Sequence, residues 1–85
     1  MAAYSIFFKQ SAVKELDDVP KKDLVRLLAR IEALADDPRP PGCEKLSAQE
    51  RYRIRQGNYR VVYSIEDAVL TVWVVKVGHR REVYR

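Results

Sequence analysis

One cysteine, one histidine, one tryptophan and three glycines are all that these 85 residues hold of those types. Cys43 has no second cysteine to pair with, and Cys43 with His79 makes no cluster of metal-ligand spacing, so no metal or other cofactor is expected. A single histidine leaves no Ser/His/Asp set, Cys43 sits in no nucleophile context, and no Gly-rich phosphate loop is present. Long apolar runs are missing as well. No stretch of about 20 apolar residues is long enough for a bilayer, and no apolar run of signal-peptide length opens the chain. A cytoplasmic protein with no membrane partner is expected. The length leaves room for one core, so residues 1–85 read as a single domain without repeats.

What is present is charge, unevenly placed. Residues 1–50 carry eight Lys/Arg and nine Asp/Glu, net −1, whereas residues 51–85 carry eight and three, net +5. A basic C-terminal part on a near-neutral domain is an electrostatic footprint for a polyanion, or for an acidic protein partner.

The stretch 51–65, RYRIRQGNYRVVYSI, organises the chain. Apolar residues alternate in two runs around Gly57-Asn58, a Gly-first pair suited to a two-residue type II′ turn. That loop pairs Gln56 with Tyr59, Arg55 with Arg60, Ile54 with Val61 and Tyr52 with Tyr63. One face then holds Tyr52, Ile54, Tyr59, Val61 and Tyr63, and the other Arg51, Arg53, Arg55 and Arg60. Arginines directly opposed across a hairpin repel by roughly 0.2–1 kcal/mol relative to a neutral pair, so fold stability gives no reason to keep them. An anion bound between them would. Solubility alone would be met by mixed charges.

The remaining elements follow from shorter patterns. Residues 4–8 read as a strand, and Ser11 as the N-cap of a helix through Asp18 with Val13 and Leu16 inward. Pro20 suits the first turn of a second helix, whose stripe Leu24, Leu27, Leu28, Ile31, Leu34 and Ala35 follows helical spacing. Pro38 stops it, and residues 36–42 connect to the sheet. Residues 44–50 show no firm period and fit either a helical turn or an edge. Residues 69–77, VLTVWVVKV, fit a central strand buried on both faces. The expected fold class is therefore α+β: an N-terminal strand, two helices on one face of an antiparallel sheet, and three strands, β-α-α-β-β-β.

The chemistry left to such a chain lies in Arg53, Arg55, Arg60, His79, Arg80, Arg81 and Tyr84. Guanidinium groups grip phosphate oxygens bidentately, and single-stranded RNA adds bases that stack on aromatic rings. RNA cleavage needs no metal, because an oriented 2′-OH attacks its own phosphate. The site must then stabilise the phosphorane and move two protons.

YRIRQGNYRVVYSI, the valine-rich strand and the ending VGHRREVYR resemble the RelE toxins of the RelE/ParE superfamily, and the upstream helices with their DDP stop extend the likeness over nearly the whole chain. The resemblance implies a microbial-RNase-like fold and a toxin of a type II toxin–antitoxin system. Such a toxin is an mRNA interferase that cuts mRNA in the ribosomal A site. It also implies partners: the ribosome with its mRNA, and a RelB-like antitoxin through which the complex binds operator DNA. By motif, Arg53 and Arg55 would grip the RNA backbone with Arg81 beside them. Arg60 and Arg80 would hold the scissile phosphate, and Tyr84 would stack on or orient the nucleotide. Relatives carry lysines at the places of Arg53 and Arg55, and a guanidinium does not act as a base. His79 is then the expected base. The segment before Tyr84 is about two residues shorter than in relatives, so Arg80 and Arg81 both remain open for the catalytic arginine. Two other functions stay open: a ParE-like module that poisons DNA gyrase, and a degenerate toxin that only binds its antitoxin.

Overall fold

The computed structural model describes residues 3–46 and 50–79. In chain order they form β1 (Ser5–Phe8), α1 (Gln10–Asp17), α2 (Lys21–Glu32), β2 (Glu44–Leu46), β3 (Arg51–Gln56), β4 (Tyr59–Glu66) and β5 (Thr71–His79), with 3-10 turns at Ala33–Ala35 and Asp67–Val69. The strands make one sheet in the order β1-β5-β4-β3-β2. β1 runs parallel to β5, and every other neighbouring pair is antiparallel. The sheet is therefore mixed and five-stranded, one strand more than the sequence pattern showed. The added strand is β2, too short at three residues to display a period.

Leucines at helical spacing put the core where the stripe of α2 meets the sheet. Leu27, Ile31 and Leu34 are fully buried against Ile54, Val61, Tyr63, Val72 and Val74, and Leu24 and Leu28 pack partly against the same cluster. Burying such side chains contributes about 1.5–3 kcal/mol each. α1 follows another pattern than expected. Lys9, not Ser11, is its N-cap, Ala12 is its buried residue, and Val13 is exposed. The helix starts one residue before Ser11, which turns Ala12 and Leu16 toward the core.

The hairpin adopts the expected register at all four pairs, Gln56–Tyr59 through Tyr52–Tyr63. Gly57 has φ +60 while Asn58 is not left-handed, as a type II′ turn requires. Residues 69–77 depart from a strand buried on both faces, and β5 begins only at Thr71. Val69 and Leu70 are exposed, Val72, Val74 and Val77 are buried, and Trp73 and Val75 are only half-covered. The reason is the layering: both helices lie on one side, so alternate residues of β5 remain on the open face. A register shift, with Val62 opposite Lys76 but Tyr63 opposite Val74, leaves Val75 as an extra residue. Beyond Phe8, β1 no longer covers this edge of β5, and Glu15 of α1 takes its place. Its carboxylate accepts the Val77 N–H (2.9 Å) and a bond from Lys76 Nζ (3.2 Å). Among the described residues no helix is long and apolar enough to cross a membrane.

Candidate functional site

The open face of the hairpin is built in rows. Arg55 stands opposite Arg60, which stands opposite Gly78; one step along, Arg53 faces Val62, which faces Lys76. Side chains in adjacent rows lie about 7 Å apart, two residues of strand rise. Three guanidinium groups thus share one face within two rows.

Their surroundings differ from a fully open site. Arg55 is exposed, but Arg53 and Arg60 are only 9% and 8% exposed. β2 places Glu44 directly opposite Arg53, where its carboxylate accepts from Arg53 Nη2 (2.9 Å) and from Arg55 Nη2 (3.3 Å). The hydrogen bond from Arg53, and then that arginine's charge, hold the Glu44 carboxyl below its ordinary range. Glu44 therefore clamps both arginines into a fixed pair, and it was missed because the segment 44–50 has no readable period. Arg60 is held less firmly. Its Nη1 donates to its neighbour's carbonyl, Tyr59 O, at 3.2 Å, and its buried Nε meets no acceptor among the described residues. A buried donor left unmatched costs about 1–3 kcal/mol. A phosphate oxygen would satisfy it.

His79 does not join this cluster. It pairs with Tyr59, while Gly78 pairs with Arg60, so His79 shares the Tyr59 side of the sheet and not the arginine side. Its ring meets Tyr59 edge-on at 5.9 Å, and both line a small pocket with Glu15 and Asp18. His79 was expected beside Arg60, and the structure sets it on the opposite face, because adjacent strand residues point to opposite faces. Arg80, Arg81 and Tyr84 lie outside the described residues. No group of three His, Cys, Asp or Glu side chains suited to a metal occurs among the described residues.

A second polar assembly stands at the far end of the sheet. Asp67 accepts two hydrogen bonds from Arg39 (Nη2 at 2.9 Å, Nη1 at 3.2 Å) and one from the Tyr4 hydroxyl at 2.6 Å, while Arg39 Nε bonds Tyr52 Oη at 3.2 Å. The Arg39 bonds, then that of Tyr4, hold the Asp67 carboxyl down at about 2. The phenol of Tyr63, raised above its usual range by burial, donates to Pro38 O at 2.7 Å. These contacts fix the loop 36–42 and with it β2, which carries Glu44. They hold the site's frame.

Comparison with known proteins agrees with this geometry. The family profile for the ParE toxin of type II toxin–antitoxin systems (parDE) matches residues 6–84. Toxin RelG of Mycobacterium tuberculosis is 30% identical over 86 residues, covering 96% of this chain and 97% of that protein. The isolated RelE toxin of Escherichia coli superimposes with a TM-score of 0.80 at 30% identity, over 96% of this chain and 92% of that one. The archaeal RelE–RelB complex of Pyrococcus horikoshii gives 0.83 at 28% identity, over 96% and 99%.

Proposed function

The chain belongs to the ParE toxin family of type II toxin–antitoxin systems, within the RelE/ParE superfamily, and from that premise we propose that it is a ribosome-dependent endoribonuclease of the RelE kind. The observation that carries the reading is the arginine face. Arg53 and Arg55 are fixed by Glu44, and Arg60 stands opposite Arg55 with a buried donor that meets no acceptor among the described residues. An arrangement that costs the fold stability is explained by an anion that repays it on binding.

In this reading Arg60 takes the scissile phosphate, with Arg80 or Arg81 as its second cation and Tyr84 against the nucleotide. Arg53 and Arg55 grip the flanking backbone. The 2′-oxygen of the mRNA attacks the adjacent phosphorus and the bond to the 5′-oxygen breaks, leaving a 2′,3′-cyclic phosphate and a 5′-hydroxyl. One proton leaves the 2′-OH and one reaches the departing oxygen. With His79 on the other face, the rate rests on orientation by the ribosome and on charge stabilisation by arginine. A RelB-like antitoxin is the expected partner, since relatives of the same fold are seen in complexes with RelB. The experiment is single-turnover cleavage of ribosome-bound mRNA by the wild type, Arg60→Ala and His79→Ala. Loss with the first and near-wild-type rate with the second support the reading; no cleavage by the wild type refutes it.

A second reading has its own support, because the matching family profile is that of ParE. A ParE-like module would inhibit DNA gyrase and leave mRNA intact, and a supercoiling assay separates the two.

A further inference from the structure

The open face continues past the arginines into a groove of different character. Arg51 of β3 stands opposite Ser64 of β4, Ser64 opposite Trp73 of β5, and Trp73 opposite Phe7 of β1, one row running straight across four strands. Phe7 and Trp73 touch with ring centroids 5.1 Å apart, and Lys9 Nζ lies 4.7 Å from the Trp73 ring. Phe7 is 48% exposed. Phe7 stands beside the groove against Trp73, Glu50, Glu66 and Val75 complete the lining, and Lys45 lies 3.6 Å from Glu50.

Charge separates this groove from the arginine rows. Two cations and two carboxylates line it, so it has no net pull on a phosphate. The Trp73 ring with Phe7 packed beside it, a hydroxyl and a carboxylate acceptor suit a nucleobase, which stacks on a π-face and donates from an exocyclic amine. Arg51 stands one row, about 7 Å, from Arg53, close enough for one chain to span both.

Resting on the ribonuclease reading, we propose that Phe7 and Trp73 form a base-stacking subsite for a nucleotide flanking the scissile phosphate, with Arg51 on that nucleotide's backbone and Glu66 favouring bases that carry an amine. The occupant is single-stranded RNA continuous with the strand held by Arg53, Arg55 and Arg60. Lys9 covers the Trp73 ring, and its flexible stem lets it yield that position to a base.

Trp73 is the chain's only tryptophan and therefore the probe. The full chain is titrated with short 5′-dye-labelled oligoribonucleotides, reading dye anisotropy and Trp73 emission in parallel, with an abasic site moved through each position. Emission is expected to fall on binding, and one abasic position should abolish the change and weaken binding about 5- to 150-fold, the worth of one stacked base. Phe7→Leu should weaken binding several-fold with an unchanged melting temperature, and Glu66→Gln should level the affinities for cytidine and uridine at that position. Anisotropy that reports binding while Trp73 emission stays constant overturns the subsite and leaves the ribonuclease reading intact. Quenching by an antitoxin peptide but by no oligoribonucleotide overturns it in favour of a protein occupant. Absence of oligoribonucleotide binding also overturns it, and mRNA cleavage then tells whether the ribonuclease reading falls too.

Discussion

Replacing Arg60 with alanine separates a functional arginine from a structural one, because its effects on stability nearly cancel. The side chain is 8% exposed, so truncation removes two buried methylenes at about 0.8 kcal/mol each. It also removes the bond from Nη1 to Tyr59 O, about 0.5–1.5 kcal/mol. Against this, the buried Nε has no acceptor among the described residues, and leaving such a donor unmatched costs about 1–3 kcal/mol. Relief of the cross-strand repulsion from Arg55 returns roughly 0.2–1 kcal/mol more. The gains and losses are centred on zero and their sum lies within about 2 kcal/mol of it. Denaturant unfolding should therefore show an almost unchanged midpoint. Single-turnover cleavage on the ribosome should fall about 10²–10³-fold, the usual loss for one donor to developing charge. A stability loss of about 3 kcal/mol with cleavage intact would show that Arg60 serves the fold, and the argument from its unmatched donor would be wrong.

Further predictions concern the frame and the partner. Tyr63→Phe leaves Pro38 O without its donor in a buried place and should cost about 1–3 kcal/mol by denaturant unfolding. Leu27→Ala, at a fully buried position, should cost about 2–5 kcal/mol in the same assay. Asp67 has its folded pKa depressed from 3.8 to about 2, so its contribution is complete above about pH 4 and is lost as pH falls through about 2; melting between pH 2 and 5 should show a shallower acid slope for Asp67→Asn. Co-expression of the neighbouring small gene should relieve growth arrest caused by the chain, and a chain harmless on its own would contradict the toxin assignment.

Much of the fold was legible because its signals are periodic. The α2 stripe and the two alternating runs around Gly57-Asn58 specify which faces are apolar, and the Gly-first turn fixes a register that the structure reproduces pair by pair. Short or compensated features were not legible. β2 has only three residues, so neither the fifth strand nor the clamp of Glu44 on Arg53 and Arg55 could be read. α1 was misphased because a serine that could cap lies one residue inside the helix that forms. His79 was grouped with the arginines by proximity in sequence, whereas strand alternation and the pairing with Tyr59 turn it to the other face. Period-two alternation along β5, offset by its extra residue, sets that face. The Arg39–Asp67–Tyr4–Tyr52 assembly joins residues up to 63 positions apart, and no local pattern announces it.

The central claim is that this toxin cuts mRNA on the ribosome, and primer-extension mapping of cellular mRNA after brief induction tests it most directly. Cleavage within translated codons, absent from untranslated transcripts and from cells expressing Arg60→Ala, is the predicted result. Intact mRNA in arrested cells, together with inhibition of gyrase supercoiling by the purified chain, would contradict it.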